Sequence, residues 1–289
     1  MELLFRFCKH PVLQWFESAV FCLFFLNISA DADGQEIKPV RVGILTDCQY
    51  CNCETEGIRN YMLSLPKLDS CIKVFNALSL DAIFHLGDMI DHNYRSYDSV
   101  IPRFQQFNPP INLVLGNHDY VIKNKFKPGL LDRLGMKEDY YVVDLGNWRF
   151  IVLNGDDLSF FAPQDKKHKE ERNDVVYDQF QQMHVNGLPW NGGIGRDQLK
   201  WLEKQLEESE QSQKKVIVVC HFPLFVKDNH NLFNNKVVFR LISGYSCVKA
   251  YFNGHYHSGN YQMKEGIHMV NFKGMVNTTI NAFAVVTLT

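Results

Sequence analysis

The sequence lacks several features that mark other classes of protein. Its 30 basic and 32 acidic residues leave a formal charge of −2, and no basic run is interleaved with aromatic residues. A dedicated nucleic-acid surface is therefore disfavoured. No internal repeat or low-complexity tract is present, and the eight cysteines do not form two CxxC pairs. The length of 289 residues fits one large α/β domain or two small ones.

One cysteine cluster leaves its chemistry open. Cys48, Cys51 and Cys53 lie close together in the sequence. A zinc site is disfavoured because no second ligand pair follows at finger-like spacing. A disulfide requires an oxidising compartment, and the sequence does not assign its partners.

The first 32 residues have the pattern of a secretory leader. Arg6 and Lys9 precede the apolar run 19–26, and Ala30 and Ala32 then form an A-x-A cleavage pattern. The apolar run is too short to span a bilayer comfortably. We therefore interpret this segment as a cleaved signal peptide.

Other residues of the same segment favour alternatives to a leader. Pro11, Trp15 and Glu17 make the region before the apolar run long and atypical, which leaves a non-native start or a membrane-proximal anchor open. We expect residues 33–289 to form the folded domain, without a stable membrane span in the mature chain. The protein is expected to be secreted or extracytoplasmic if the leader is real, and cytoplasmic otherwise.

Short apolar runs bounded by turn residues predict buried strands, and longer segments with apolar residues at helical spacing predict helices. The predicted strands are 40–45, 82–86, 111–115, 140–145, 149–154, 216–220, 248–252, 267–272 and 282–287. The predicted helices are 66–78, 97–107, 237–243 and the segment that carries Leu199, Leu202 and Leu206. The charged stretch 163–174 is interpreted as a solvated loop or a short exposed helix. Strands and helices that alternate predict parallel crossovers, whereas the turn Gly146-Asn147 predicts a hairpin, so we expect mixed sheets.

Polar residues of similar chemistry follow five of the predicted strands. They are Asp47 and Gln49, Asp88, Asn117 and His118, His221, and His255 and His257. Ligands of open α/β sheets collect at the carboxyl ends of strands. Carboxylate, amide and imidazole groups suit manganese, iron(II), magnesium or zinc, and the donors suffice for two ions. We expect Asp88 to bridge two ions about 3.5–4 Å apart. His85 lies inside a strand and is interpreted as a core residue, or as one that supports a metal ligand, and not as a ligand itself.

The order of these residues resembles the calcineurin-like metallophosphoesterase superfamily, whose motifs are D-x-H, GD, GNH[DE], a lone His and GHxH. The corresponding segments are Asp47-Cys48-Gln49, Gly87-Asp88, Gly116-Asn117-His118-Asp119, His221 and Gly254-His255-Tyr256-His257. The resemblance implies an α/β fold in which two mixed β-sheets form a sandwich flanked by helices, in four layers αββα. It also implies that residues 33–289 are a metallophosphoesterase catalytic domain.

Gln49 departs from the superfamily pattern, which has histidine at this position. The D-x-Q motif followed by Tyr50 is similar to the manganese-dependent ADP-ribose/CDP-alcohol diphosphatase family. Further likenesses are Asn154-Gly155-Asp156-Asp157, Trp190-Asn191-Gly192-Gly193-Ile194-Gly195, Gln198 and His221-Phe222-Pro223-Leu224. That family usually continues through more strand after 282–287, so we expect an incomplete C-terminal sheet with an uncovered edge.

The resemblance implies two ligand sets that share Asp88. One ion would take Asp47, Gln49, Asp88 and His257, and the other would take Asp88, Asn117, His221 and His255. The neutral amide of Gln49 favours a harder ion than zinc, so Mn²⁺ is expected, with Zn²⁺, Fe²⁺ and Mg²⁺ as alternatives. His118 is expected to hydrogen-bond the phosphoryl group or to protonate the leaving oxygen, and Asp119 to orient His118.

The expected reaction is hydrolysis of a pyrophosphate bond by water that two ions activate. Its substrates would be ADP-ribose, CDP-choline and related nucleoside diphosphate-linked compounds. Cyclic nucleotides or other phosphomonoesters and diesters are the alternative substrates. A non-catalytic metal-binding module is disfavoured because every ligand position carries a competent donor. The partner is thus a small nucleotide-type molecule and not a nucleic acid, while the preferred base and the oligomeric state stay open.

Overall fold

Two mixed β-sheets pack face to face, with helices on both outer faces. This computed structural model describes residues 19–26, 38–181 and 187–289. The four-layer αββα sandwich predicted from the sequence is therefore confirmed.

The first sheet has five strands in the order β1-β11-β2-β3-β4. Their bounds are Ala19–Leu26 for β1, Asn281–Leu288 for β11, Val40–Leu45 for β2, Ala82–His85 for β3 and Ile111–Leu113 for β4. Strands β2, β3 and β4 are parallel, and β11 is antiparallel to β2. Helix α1 (Ser64–Asn76) links β2 to β3, and helix α2 (Tyr97–Phe104) links β3 to β4, as the alternation in the sequence predicts.

The second sheet has six strands in the order β5-β6-β7-β8-β10-β9. The strands are β5 (Tyr141–Leu145), β6 (Trp148–Val152), β7 (Lys215–Val219), β8 (Val248–Asn253), β9 (Asn260–Lys264) and β10 (Ile267–Asn271). Helix α3 (Leu130–Leu134) precedes β5 in the chain. The helices that follow β6 are α4 (Lys166–Gln181), α5 (Arg196–Gln211) and α6 (Asn235–Ser243). Strands β5 and β6 form the predicted antiparallel hairpin, and β6, β7 and β8 are parallel.

The inner faces of the two sheets form one apolar core. Phe84 of β3 and Phe150 of β6 stack across the interface with ring centroids 4.7 Å apart. Two further cores lie outside the sheets, one beneath α1 and α2 and the other beneath α5 and α6. Because both faces of the central strands are buried, these strands read as continuous apolar runs in the sequence.

The structure differs from the predictions in two polar elements. The charged stretch 163–174 lies largely in α4, a helix of 16 residues and not a loop or a short helix. Strand β9 has no counterpart among the predicted strands. It pairs only with β10 and leaves much of its length exposed, so its sequence NYQMK carries little apolar signal.

The predicted leader lies only partly within the described residues. Its apolar run 19–26 forms β1, which pairs in parallel with β11, whereas 1–18 and 27–32 lie outside the described ranges. Strand β11 therefore has a partner on both sides, which differs from the uncovered edge expected there. Cleavage of the leader stays a prediction. No helix among the described residues is both long and apolar enough to cross a membrane.

Candidate metal centre and active site

The polar residues of the five motifs follow strands β2, β3, β4, β7 and β8, whose carboxyl ends meet at one edge of the sandwich. Several of these residues turn sharply out of their strands. Asp47, Gln49, Asp88 and His255 all have positive φ, between 41° and 65°. Non-glycine residues in this region are uncommon and concentrate at functional sites, because the surrounding structure must hold them there.

Asp88, His221 and His255 form the inner half of the cluster. His221 Nε2 lies 3.2 Å from Asp88 Oδ2 and 3.2 Å from His255 Nδ1. One ligand atom from each of the three residues lies within 4.8 Å of the others. Carboxylate and imidazole at this spacing are the donors of a divalent transition-metal site.

Hydrogen bonds at the far nitrogens orient both imidazoles. His221 Nδ1 donates to the carbonyl of Leu86 at 2.8 Å, and His255 Nε2 lies 3.1 Å from Asn191 Oδ1. The remaining nitrogens, His221 Nε2 and His255 Nδ1, therefore both face Asp88. Metal-binding histidines are oriented in this way by hydrogen bonds to their second nitrogen.

Asp47, Gln49 and His257 form the outer half of the cluster. His257 Nε2 lies 3.2 Å from Asp47 Oδ1 and 3.3 Å from Gln49 Nε2, which also donates to Asp88 Oδ2 at 3.0 Å. Asp88 thus touches both halves. His257 Nδ1 is held at 3.0 Å from Asn277 Oδ1, so its Nε2 is turned into the cluster.

Three buried oxygens of the cluster accept no hydrogen bond of good geometry from the described residues. Two of them are the amide oxygens Gln49 Oε1 and Asn117 Oδ1, and the third is Asp47 Oδ1, which lies 3.2 Å from His257 Nε2; the three side chains are at most 2% exposed. Unpaired buried acceptors are unfavourable unless a donor or a cation meets them. Together with the converging imidazoles, they fit a site for divalent cations.

The electrostatics of the cluster agree with this interpretation. Burial alone would lower the pKa of His221, but Asp88 and Asp47 outweigh it and raise the pKa to about 10. Burial and the neighbouring His221 hold the pKa of His255 far below its usual value. The two carboxylates thus favour positive charge at the position of His221. A metal ion bound by the same donors would supply that charge and release the proton from a protonated imidazole.

Glycines of the motifs make room for the ligands. A Cβ on Gly116 would lie 2.3 Å from Asp88 Oδ1, and one on Gly254 would lie 2.0 Å from Thr46 Oγ1. Neither contact is tolerable, so the GN and GH pairs require glycine for this close approach.

His118 faces the cleft from the 3-10 helix Asn117–Tyr120. Its backbone N–H donates to Asp88 Oδ1 at 2.8 Å, and its Nδ1 lies 2.9 Å from Asp91 Oδ1. Burial would lower the pKa of His118, but Asp88 and Asp91 outweigh it and raise the pKa above its ordinary value. The ring is thus poised to carry a proton beside the cluster.

The structure corrects the role expected for Asp119. Its carboxylate does not contact the ring of His118 but accepts backbone N–H bonds from Gly116, Asp88 and Met89, each at 3.0 Å. Tyr97 also donates its hydroxyl to it at 2.9 Å. The 3-10 helix turns Asp119 inward beneath the motif loops. It braces those loops, and Asp91 is the carboxylate that orients His118.

A cleft of about 250 Å³ opens over the cluster. Its lining residues are Gln49, Arg59, Asp88, Asn117, His118, Trp190, His230, His255 and His257. The sequence pattern did not indicate Arg59 or His230, and it assigned no role to Trp190 or Asn191. These residues come from loops far apart in the sequence, so no local pattern connected them. Asp91 could have been identified from the sequence, since it lies three residues after Asp88 of the GD motif.

Two further predictions concern His85 and the cysteine cluster. His85 is fully buried, and burial lowers its pKa to about 4, in agreement with a core role. Cys51 and Cys53 form a disulfide, whereas Cys48 is free and buried.

Lys67 of α1 fixes a segment at the back of the cleft. Its ammonium donates to the carbonyls of Met275, Asn277 and Thr278 at 2.6–3.1 Å. This segment carries Asn277, the partner of His257. Helix α1 thus positions a cluster histidine that is 190 residues away in the sequence.

Comparisons with known proteins agree with this architecture. The family model described as calcineurin-like phosphoesterase matches residues 40–259. A protein of Bos taurus named manganese-dependent ADP-ribose/CDP-alcohol diphosphatase is 27% identical, over 82% of this chain and 84% of its own length. A protein of the same name from Arabidopsis thaliana is 26% identical, over 78% of this chain and 83% of its own length.

Among solved structures, a dimetal phosphatase from Danio rerio superposes with a TM-score of 0.77. The match covers 85% of this chain and 91% of that chain at 22% sequence identity. At this identity the likeness shows the fold alone.

Proposed function

Since the chain belongs to the calcineurin-like phosphoesterase family, and is accordingly a metal-dependent hydrolase, we propose that it cleaves pyrophosphate bonds. Its proposed substrates are ADP-ribose, CDP-choline and related nucleoside diphosphate-linked compounds, which would give two phosphomonoesters. The observation that carries this proposal is the D-x-Q motif, in which Gln49 lies between Asp88 and His257. The relatives named as ADP-ribose/CDP-alcohol diphosphatases support it.

The proposed ligand sets follow the two halves of the cluster. Asp47, Gln49, Asp88 and His257 would hold one divalent cation, and Asp88, Asn117, His221 and His255 would hold the other. Bound divalent cations supply Lewis-acid activation of water and neutralise phosphoryl oxygens. A neutral amide replaces one imidazole at Gln49, so the first set favours an oxygen-liking ion, and we propose Mn²⁺.

His118 is proposed to protonate the leaving oxygen of the substrate. Its ring lines the cleft, and the carboxylates of Asp88 and Asp91 favour the protonated form that a general acid requires. Asp91 Oδ1, 2.9 Å from Nδ1, holds the ring so that Nε2 is free to reach the substrate. Asp91 thereby acts as a positioning residue.

A substrate panel tests the proposed function. The purified protein is assayed with Mn²⁺ on ADP-ribose, CDP-choline, cyclic AMP and a chromogenic phosphomonoester. The proposal expects the highest kcat/KM for one of the two pyrophosphates. A clear preference for cyclic AMP or for the monoester would reject it in favour of the alternative substrates.

Metal identity is tested separately on the same preparation. The protein is stripped with a chelator, and activity is restored with Mn²⁺, Zn²⁺ or Mg²⁺ in parallel. Highest activity with Mn²⁺ supports the proposed role of Gln49. Tightly held zinc as the activating ion would contradict it.

A further inference from the structure

Arg59 occupies a rigid position at the wall of the cleft. Its backbone exchanges two hydrogen bonds with Glu56, at 2.9 and 3.1 Å, and forms a bridge with Asn277. The next residue, Asn60, donates its N–H to the carbonyl of Val276 at 2.8 Å. The loop of Arg59 is therefore bonded directly to the segment that orients His257.

A small apolar cluster fixes the same loop from below. Cys51, Tyr61 and Val276 are buried together, and the hydroxyl of Tyr61 donates to Glu56 Oε2 at 3.1 Å. A residue held by such contacts loses less conformational freedom when it binds a ligand. Arg59 thus has the support that a binding residue requires.

Arg59 is also the only lysine or arginine among the described residues that line the cleft. Arg59 and His230 line the same cleft as the proposed metal ligands Gln49, Asp88, Asn117, His255 and His257. The permanent positive charge of the cleft therefore comes from one side chain next to the metal cluster.

We propose that Arg59 binds the phosphoryl group of a pyrophosphate substrate that is not attacked by water. This inference rests on the proposed function, because only a substrate with two linked phosphoryl groups has such a group. The metal cluster would hold the attacked phosphoryl group. The second one still carries negative charge, and a planar guanidinium can bind its oxygens with two parallel hydrogen bonds.

The same contact would assist the reaction itself. Hydrolysis forms one P–O bond from water and breaks the bond between the attacked phosphorus and the bridging oxygen. That oxygen leaves with the electron pair on the second phosphoryl group, whose negative charge increases until a proton arrives. A fixed cation at this group stabilises the developing charge.

Equilibrium binding tests the proposal without turnover. The Mn²⁺-loaded protein is titrated with α,β-methylene ADP, which has two linked phosphoryl groups, and with AMP, which has one. Arg59→Ala is expected to raise the Kd for α,β-methylene ADP by about 10- to 100-fold. The Kd for AMP should change less than about threefold, because AMP places its only phosphoryl group at the metal cluster.

Two variants serve as controls. Arg59→Lys keeps the charge but loses the planar fork, so it should recover part of the affinity. Arg240→Gln removes an exposed arginine of α6 that is not among the residues lining the cleft, and should bind both ligands as the wild type does. Manganese content of Arg59→Ala, measured by atomic absorption, should match the wild type.

The outcomes separate this inference from the proposed function. An equal loss for both ligands, no loss for either, or wild-type protein that binds α,β-methylene ADP no better than AMP would overturn the role of Arg59. Conversely, Arg59-dependent binding in a wild-type protein that does not hydrolyse ADP-ribose or CDP-choline would overturn the proposed function and leave the role of Arg59 intact.

Discussion

Two pairs of buried carboxylates in this protein have pKa values that are shifted in opposite directions. Asp47 and Asp88 in the cluster, and Asp119 and Asp156 behind it, are all 0% exposed. Burial raises the pKa of a carboxyl group in every case. Nearby histidines reverse this effect at Asp47 and Asp88, whose pKa values are lowered. Burial dominates at Asp119 and Asp156, with a pKa of about 7 for each.

The difference shows that burial alone does not identify a metal ligand. A buried carboxylate that stays ionised among imidazoles carries charge that a cation can satisfy. The oxygens of Asp119, in contrast, accept hydrogen bonds from backbone N–H groups and from a tyrosine hydroxyl, and so Asp119 stabilises the motif loops. The cluster is therefore marked by the partners of its carboxylates and not by their depth.

The largest effect is expected from Asp88→Asn. Asp88 touches both halves of the cluster, so loss of its charge should reduce activity by about 10⁴-fold and lower the content of bound divalent metal. Asp156→Asn is the matched control, since it makes the same change at an equally buried site and should leave metal content near that of the wild type. Comparable metal loss in the two variants would erase the distinction between the two carboxylate pairs.

His118→Ala should reduce kcat by about 10²- to 10³-fold, because the proposed proton donor is removed. Its ring contacts Asp91 and is not part of either proposed ligand set, so the content of bound divalent metal should stay near the wild-type value. Atomic absorption on the variant used for kinetics makes this comparison. A variant without metal would show that His118 supports the cluster and does not act on the substrate.

Asp156→Asn should change how stability depends on pH. The pKa of Asp156 is raised to about 7 in the folded protein, so the folded state binds more protons than the unfolded chain between about pH 4 and pH 7. Wild-type stability is therefore lost as pH rises through this window. The variant keeps a neutral side chain and should be more stable than the wild type at pH 8, by up to about 4 kcal/mol, with little difference near pH 4.

Urea unfolding with a chelator at pH 4.5 and pH 8 measures this difference without bound metal. An equal difference at the two values of pH would show that Asp156 does not titrate in this range.

Asp91→Asn should have the smallest of these effects, a loss of about tenfold in kcat. The variant removes a carboxylate that raises the pKa of His118. Since the proposed acid must be protonated, activity falls as pH rises through this pKa, and the alkaline limb of the kcat profile should move to lower pH. An unchanged profile would mean that Asp91 does not control the charge of His118.

The sequence predicted most of the framework for physical reasons. Strands such as Lys215–Val219 are buried on both faces, and the motif residues follow their carboxyl ends directly. The fold could therefore be predicted from the secondary structure and the order of the motifs. Strand β9 was missed because an exposed edge strand needs few apolar residues.

The surroundings of the cluster were harder to predict. Asp91 and Asp119 are both acidic residues near His118, and only the turn of the 3-10 helix decides which of them faces the ring. Arg59, Asn191 and Asn277 lie on loops whose approach to the cleft depends on long-range packing. Residue type alone could not assign those contacts.

The hydrogen bonds from Lys67 to the segment that carries Asn277 have a consequence for biosynthesis. Helix α1 leaves the ribosome long before residues 275–278, so His257 has no orienting partner until nearly the whole domain has been translated. A nascent or truncated chain that stops before Asn277 would lack a correctly oriented His257. Hydrolytic activity should therefore arise only late in synthesis.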